Sequence, residues 1–195
     1  MRILLALALT LLLPTAAFAH PGAGHAFGFF HGFEHPLGGL DHILAMVAVG
    51  VFAFVMGGRA LWLVPLSFVG MMVVGFLLGA GGVNVPFVEF GIALSSIVIG
   101  GAAALGRPMH VTAAMALVGV FAIFHGHAHG AEMPENAGGL LYAAGFILAT
   151  ASLHAAGVFT AMGVTKLIGR YGSAIARLAG GAFALGGLGV LLGWI

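Results

Sequence analysis

An all-α, polytopic membrane bundle of about six transmembrane helices after a cleavable signal peptide is the fold class the sequence predicts. Three observations carry it. Hydrophobic residues make up 62% of the 195 and charged residues only 6%, with a mean hydropathy of +1.19, far from soluble domains. Apolar runs of about 20 residues, enough to cross a hydrocarbon core of about 30 Å, recur along the chain. These runs lack strand alternation and are too long for barrel strands. Lipid is the solvent this chain requires.

The first segment reads as a targeting signal. Met1-Arg2 is a short basic start, Ile3 to Leu13 is apolar but too short to span, and Pro14 breaks it. Ala17-Phe18-Ala19 then fits a small-x-small cleavage pattern. Residues 1–19 are thus the expected signal peptide, 20–36 an exported His-rich segment, and 37–195 a six-helix transmembrane domain.

The expected spans run roughly from Leu37 to Gly57, Ala60 to Ala80, Phe87 to Leu105, Met109 to His125, Gly139 to Val164, and Ala174 to Ile195. Between them stand Gly58-Arg59, Gly81 to Pro86, Gly106-Arg107-Pro108, Gly126 to Gly138, and Lys166 to Ser173, which are turn and helix-end signals. Glycine is abundant, 34 residues, and spacings such as Gly75-x-x-x-Gly79 let helices approach closely. A homo-oligomer is allowed by such a surface.

Orientation follows from charge. With the mature N-terminus exported, the inner loops hold Arg59, Arg107, Lys166, Arg170 and Arg177, every Lys and Arg after the signal. Basic residues favour the cytoplasmic side. The expected location is a bacterial inner membrane, with the N-terminus in the periplasm and basic loops in the cytoplasm.

The chain has no cysteine, which excludes disulfides, thiolate zinc sites, iron–sulfur clusters and thiol catalysis. Nothing resembles a nucleic-acid footprint. Ten histidines, against six basic and five acidic residues, are the anomaly. They gather with the acids on the exported side. One group is His20, His25, His31, Glu34, His35, Asp41 and His42; the other is His125, His127, His129, Glu132 and Glu135. Neutral imidazole with carboxylate is the usual ligand chemistry for Ni, Co, Zn and Cu(II).

In the first group, His35 and His42 on one unbroken helix would stand about 10 Å apart, too far to chelate one ion. Pro36 and Gly38-Gly39 predict that the helix starts after His35, which lets His35 fold back toward Asp41 and His42. In the second group, His125 and His129 lie one turn apart if helical, and all three histidines share a side if extended. Glu89 falls in the outer turns of the third span, where its charge needs a partner. His154 lies about 14 residues into the fifth span, about 21 Å from its outer end. Ionisable groups at such depth point to function. His110 would stand at the inner mouth.

Enzymatic chemistry finds little support. His31-Gly32-Phe33-Glu34-His35 matches H-x-x-E-H in form, but Gly32 and Pro36 spoil the helix that motif needs. No Walker A run is present, so ATP hydrolysis is not expected.

These residues resemble the HupE/UreJ family of bacterial nickel/cobalt permeases. The resemblance rests on the signal peptide followed by His20-Pro21, on His35-Pro36-x-x-Gly39-x-Asp41-His42, and on Phe121 to Pro134, reading FAIFHGHAHGAEMP. It implies uptake of Ni²⁺ or Co²⁺ across the inner membrane, with a link to hydrogenase or urease maturation. It nominates His35, Asp41, His42 and the 125–129 histidines. The expected ligands are then His20, His25, His35, Asp41, His42, Glu89, His125, His127, His129 and His154, acting on a transported divalent metal with no prosthetic group. The ion would be concentrated by His20 and His25, enter the outer site, and move by His154 toward His110. Two alternatives stand beside this: a membrane metalloenzyme with a His/Asp zinc site, and a periplasm-facing metal-binding accessory protein.

Overall fold

The computed structural model describes residues 23–195, with side chains from Phe27 onward. Signal cleavage after Ala19 and the roles of His20 and the His25 side chain therefore lie outside the described residues. Among the described residues seven helices follow one another: α1 (Ala23–Gly38), α2 (Leu40–Met56), α3 (Ala60–Ala80), α4 (Val88–Leu105), α5 (Val111–Ala131), α6 (Gly139–Ile168) and α7 (Gly172–Leu191), with a 3-10 turn at Gly169–Tyr171 between the last two.

Length and hydropathy give four membrane-crossing stretches among the described residues, or five when the bent α1–α2 pair counts as one span. The sequence led us to expect about six. The difference arises at Gly139–Leu191, a single 53-residue apolar stretch by that measure. It doubles back at the 3-10 turn, where Gly172 packs on Thr165 and Arg170 reaches Tyr171. The architecture is a helical membrane bundle.

Two helix boundaries differ from expectation. The first helix does not begin after His35; α1 runs through His35 and Pro36 and ends at Gly38. The break falls at Gly39, where the chain turns by 84° into α2. Pro36 falls in the last turn of this helix, where its missing N–H and the clash with the preceding turn come just before the helix ends. Gly39 is required for a different reason: a Cβ there would stand 2.6 Å from Asp41 Oδ1 and 3.1 Å from His42 Nδ1. The bend folds the Asp41–His42 pair over the hinge backbone.

The second difference is at α5, which continues past His125 to Ala131. Gly126 and Gly130 are packing positions and do not end the helix. Their missing side chains let the α5 backbone lie against Met72 and Phe76 of α3, as close helix approach in lipid requires. All three histidines of 125–129 are consequently helical.

Packing fixes the directions. Helices α3 and α5 run parallel, with Ser67 donating to the Met115 carbonyl at 3.0 Å near their starts and Gly130 against Phe76 near their ends. Helices α4 and α7 run antiparallel, pairing Gly100 with Gly180 and Ser96 with Gly187. Helix α6 packs along both α1 and α2. The core is lined by fully buried Met46, Phe52, Phe68, Met72 and Phe146.

The result has two unlike ends. Arg59, Arg107, Lys166, Arg170 and Arg177 fall at one, at or near the α2–α3, α4–α5 and α6–α7 junctions. At the other lie the α1–α2 bend, the start of α4 and the end of α5, with the acidic and histidine side chains.

Candidate metal-handling site

At the acidic end, a cavity of about 440 Å³ is lined by His31, Glu34, His35, Asp41, His42, Glu89 and Glu132, with Gly38, Gly39 and Ala128. Four of the chain's five carboxylates therefore face one space. Low-dielectric walls around like charges focus the field and draw cations inward. Glu89 reaches this cavity from the first turn of α4, where its charge also complements the helix dipole.

At the inner side of this vestibule four imidazoles from three helices meet. The ring centroids of His42 and His125 are 4.8 Å apart, those of His42 and His129 5.3 Å, and those of His35 and His129 4.9 Å. His35 and His42 are at 6.3 Å. An imidazole bound at about 2.0–2.1 Å holds its centroid about 3.2 Å from the metal, so two on one ion lie about 4.5–5.2 Å apart. The His42–His125 and His35–His129 pairs fall in that range, while His42–His129 and His35–His42 lie beyond it. His42 and His125 stand edge to face at 89°. Among the described residues no trio of His, Asp or Glu groups forms a finished cage.

The free nitrogens are the chemical signature. His42 Nδ1 is 3.0 Å from Asp41 Oδ1, an oxygen that also accepts the His42 backbone N–H at 2.8 Å. Ionised Asp41 can only accept, so Nδ1 carries the proton and Nε2 is left as a lone pair. That Nε2 is buried without a partner.

His125 is set the same way by a residue the sequence did not single out. Ser95 Oγ donates its one proton to the Ile92 carbonyl at 2.5 Å. At 2.9 Å from His125 Nε2, it can therefore only accept, which puts the imidazole proton on Nε2. His125 Nδ1 becomes a buried lone pair, again unpartnered. His129 has both nitrogens unpartnered and is held by stacking on Phe146 at 4.8 Å and 10°. A serine at position 95 carries no sequence signal for this role; only the approach of α4 to α5 creates it.

Glu132 is the other residue whose role was missed. It pairs with His35 Nε2 at 3.3 Å, tying the end of α5 to α1. Oxygen partners on one imidazole nitrogen with the other left bare form the arrangement that orients metal-ligating histidines. Buried polar atoms without partners are costly and call for an explanation. A cation supplies one.

The remaining expected ligands sort by position. Asp41 lines the vestibule and orients His42. His127 lies away from the ring group: its Nε2 donates to the Val83 carbonyl at 2.7 Å, tying α5 to the α3–α4 loop. His154 is buried on α6, with both nitrogens unpartnered, and packs against Phe68, which also packs against His125. His110 is exposed at the basic end, beside Thr112 Oγ1 at 2.8 Å.

Fold and site together define a helical membrane protein that presents buried imidazoles beneath an acidic vestibule. A family model described as HupE / UreJ protein matches residues 7–191. The chain is 45% identical over 184 residues to Protein HupE of Rhizobium leguminosarum bv. viciae, covering 94% of each. This chain belongs to the HupE/UreJ family. No solved structure gives a significant match.

Proposed function

We propose that this protein takes up a divalent transition metal, Ni²⁺ or Co²⁺, across the bacterial inner membrane, entering from the acidic vestibule and leaving at the basic end. The observation that carries the reading is the meeting of His42, His125 and His129, each with a buried, unpartnered nitrogen, directly beneath four carboxylates. Family membership supports it. So does the collection of Lys and Arg at the opposite end, the distribution expected of a cytoplasmic face. On this reading the vestibule is periplasmic, and the ion delivered inside serves maturation of hydrogenase or urease.

Uptake proceeds without ATP. A divalent ion gains about 4.6 kcal/mol per 100 mV of inside-negative potential, twice the single-charge value of about 2.3. The vestibule concentrates the hydrated ion. Rotation of the rings then replaces water by imidazole nitrogen, His42 through Nε2 and His125 through Nδ1. A site that must rotate to close holds its ion loosely, and conduction needs sites weak enough to release. Neutral imidazole and carboxylate suit Ni²⁺ and Co²⁺ alike.

The test is flux. Purified protein in liposomes loaded with a metal-sensitive dye should admit Ni²⁺ or Co²⁺ when the interior is negative, and Asp41→Ala or His42→Ala should abolish entry. Metal binding without flux would assign the chain to an accessory role, and metal-dependent hydrolysis without flux to an enzyme.

A further inference from the structure

Among the described residues no hydrogen bond joins the outer rings to the deep His154. One phenyl ring lies against both His125 and His154. Phe68 of α3 is completely buried, its centroid 5.5 Å from that of His125 and 5.1 Å from that of His154. His154, 2% exposed, keeps both ring nitrogens unpartnered and borders a second, apolar cavity of about 300 Å³ with Pro65, Leu66, Ala151 and Val158. An imidazole with two unsatisfied nitrogens in a dry core is costly unless something visits it.

We infer that Phe68 is the plug separating the outer histidine group from a second ion station at His154, and that its displacement sets the rate and the selectivity of passage. The inference rests on the transport reading. A close-packed phenyl ring offers a dication no ligand and no room, and apolar constrictions hold back hydrated ions. With the ring in place, an ion at His42 and His125 cannot reach His154. With the ring turned aside, the two stations are joined.

The helix carrying Phe68 has a means of moving. Pro65 sits inside α3, three residues before the plug. It cannot donate to the Leu61 carbonyl, so the helix is weakened one turn from Phe68. The cavity beside His154, which Pro65 also lines, lies between α3 and α6 and opens on the outer face of the bundle at Trp62 and Phe159.

The experiment compares Phe68→Trp, Phe68→Leu and Phe68→Ala in proteoliposomes, with Ni²⁺ binding measured on the same purified samples. Retained binding shows that the outer site, and hence the fold, survives; Phe68→Leu serves where Phe68→Ala does not fold. The expected result is Ni²⁺ affinity within about twofold of the unsubstituted protein throughout. Flux should fall at least tenfold in Phe68→Trp and rise at least threefold in Phe68→Leu and Phe68→Ala. The smaller variants should also admit Mn²⁺ or Mg²⁺ that the unsubstituted protein rejects. Unchanged flux and selectivity in all three, with binding retained and unsubstituted flux present, would overturn the plug alone. Absence of Ni²⁺ flux through the unsubstituted protein would overturn the plug together with the transport reading.

Discussion

The two ends of the bundle use their polar residues for opposite purposes. At the basic end Arg177 donates from Nε to the Ala104 carbonyl and from Nη2 to the Leu105 carbonyl, both at 2.8 Å. It satisfies carbonyls left open at the α4 terminus and complements the dipole there. At the acidic end, His42 Nε2, His125 Nδ1 and both nitrogens of His129 are buried and unsatisfied. One end spends its hydrogen bonds on structure, while the other holds lone pairs in reserve. Unsatisfied groups held in place by satisfied neighbours mark where a ligand is expected.

Breaking the reserved lone pairs should have the largest effect. Replacing His42 or His129 by Ala is expected to lower Ni²⁺ affinity by about 100-fold or more, since loss of an orienting partner alone costs about 10–100-fold. Isothermal titration on detergent-purified protein measures it.

The orienting residues come next. Ser95→Ala leaves the His125 tautomer unset and should weaken binding about tenfold, while Ser95→Thr, which keeps the hydroxyl, should restore most of it. Nitrogen chemical shifts of His125 distinguish tautomer loss from general loosening. Neutralising the vestibule should do less. Glu89→Gln with Glu132→Gln is expected to slow initial uptake about three- to tenfold at low salt, a deficit that shrinks as ionic strength rises. Smallest of all is the basic end. Arg177→Ala should cost about 0.5–1.5 kcal/mol of stability and leave uptake per folded molecule within about twofold.

Much of this contrast was legible in the sequence. Clustering of imidazoles and carboxylates against separate Lys and Arg survives folding because helix direction alternates and side is set by loop order. The pairing of His125 with His129 follows from helical spacing. Detail was lost where tertiary packing overrides local signals. Gly126 and Gly130 look like a helix end, yet they are the contact stripe against α3, which no local pattern reveals. Pro36 looks like a helix start, yet the turn falls three residues later because Asp41 and His42 need a residue without a side chain at Gly39. His127, between true members of the ring group in sequence, faces Val83 because residues two apart on a helix point about 200° apart. Ser95 and Phe68 belong to no recognisable motif; each acquires meaning only from the helix brought against it.

X-ray absorption of the Ni²⁺-loaded, purified protein tests most directly whether the reserved nitrogens take the ion. The spectrum should show imidazole scattering from two or three histidines, reduced in His42→Ala and in His129→Ala and unchanged in His127→Ala. A nickel shell made only of water and carboxylate oxygen, or one indifferent to both outer substitutions, would contradict it.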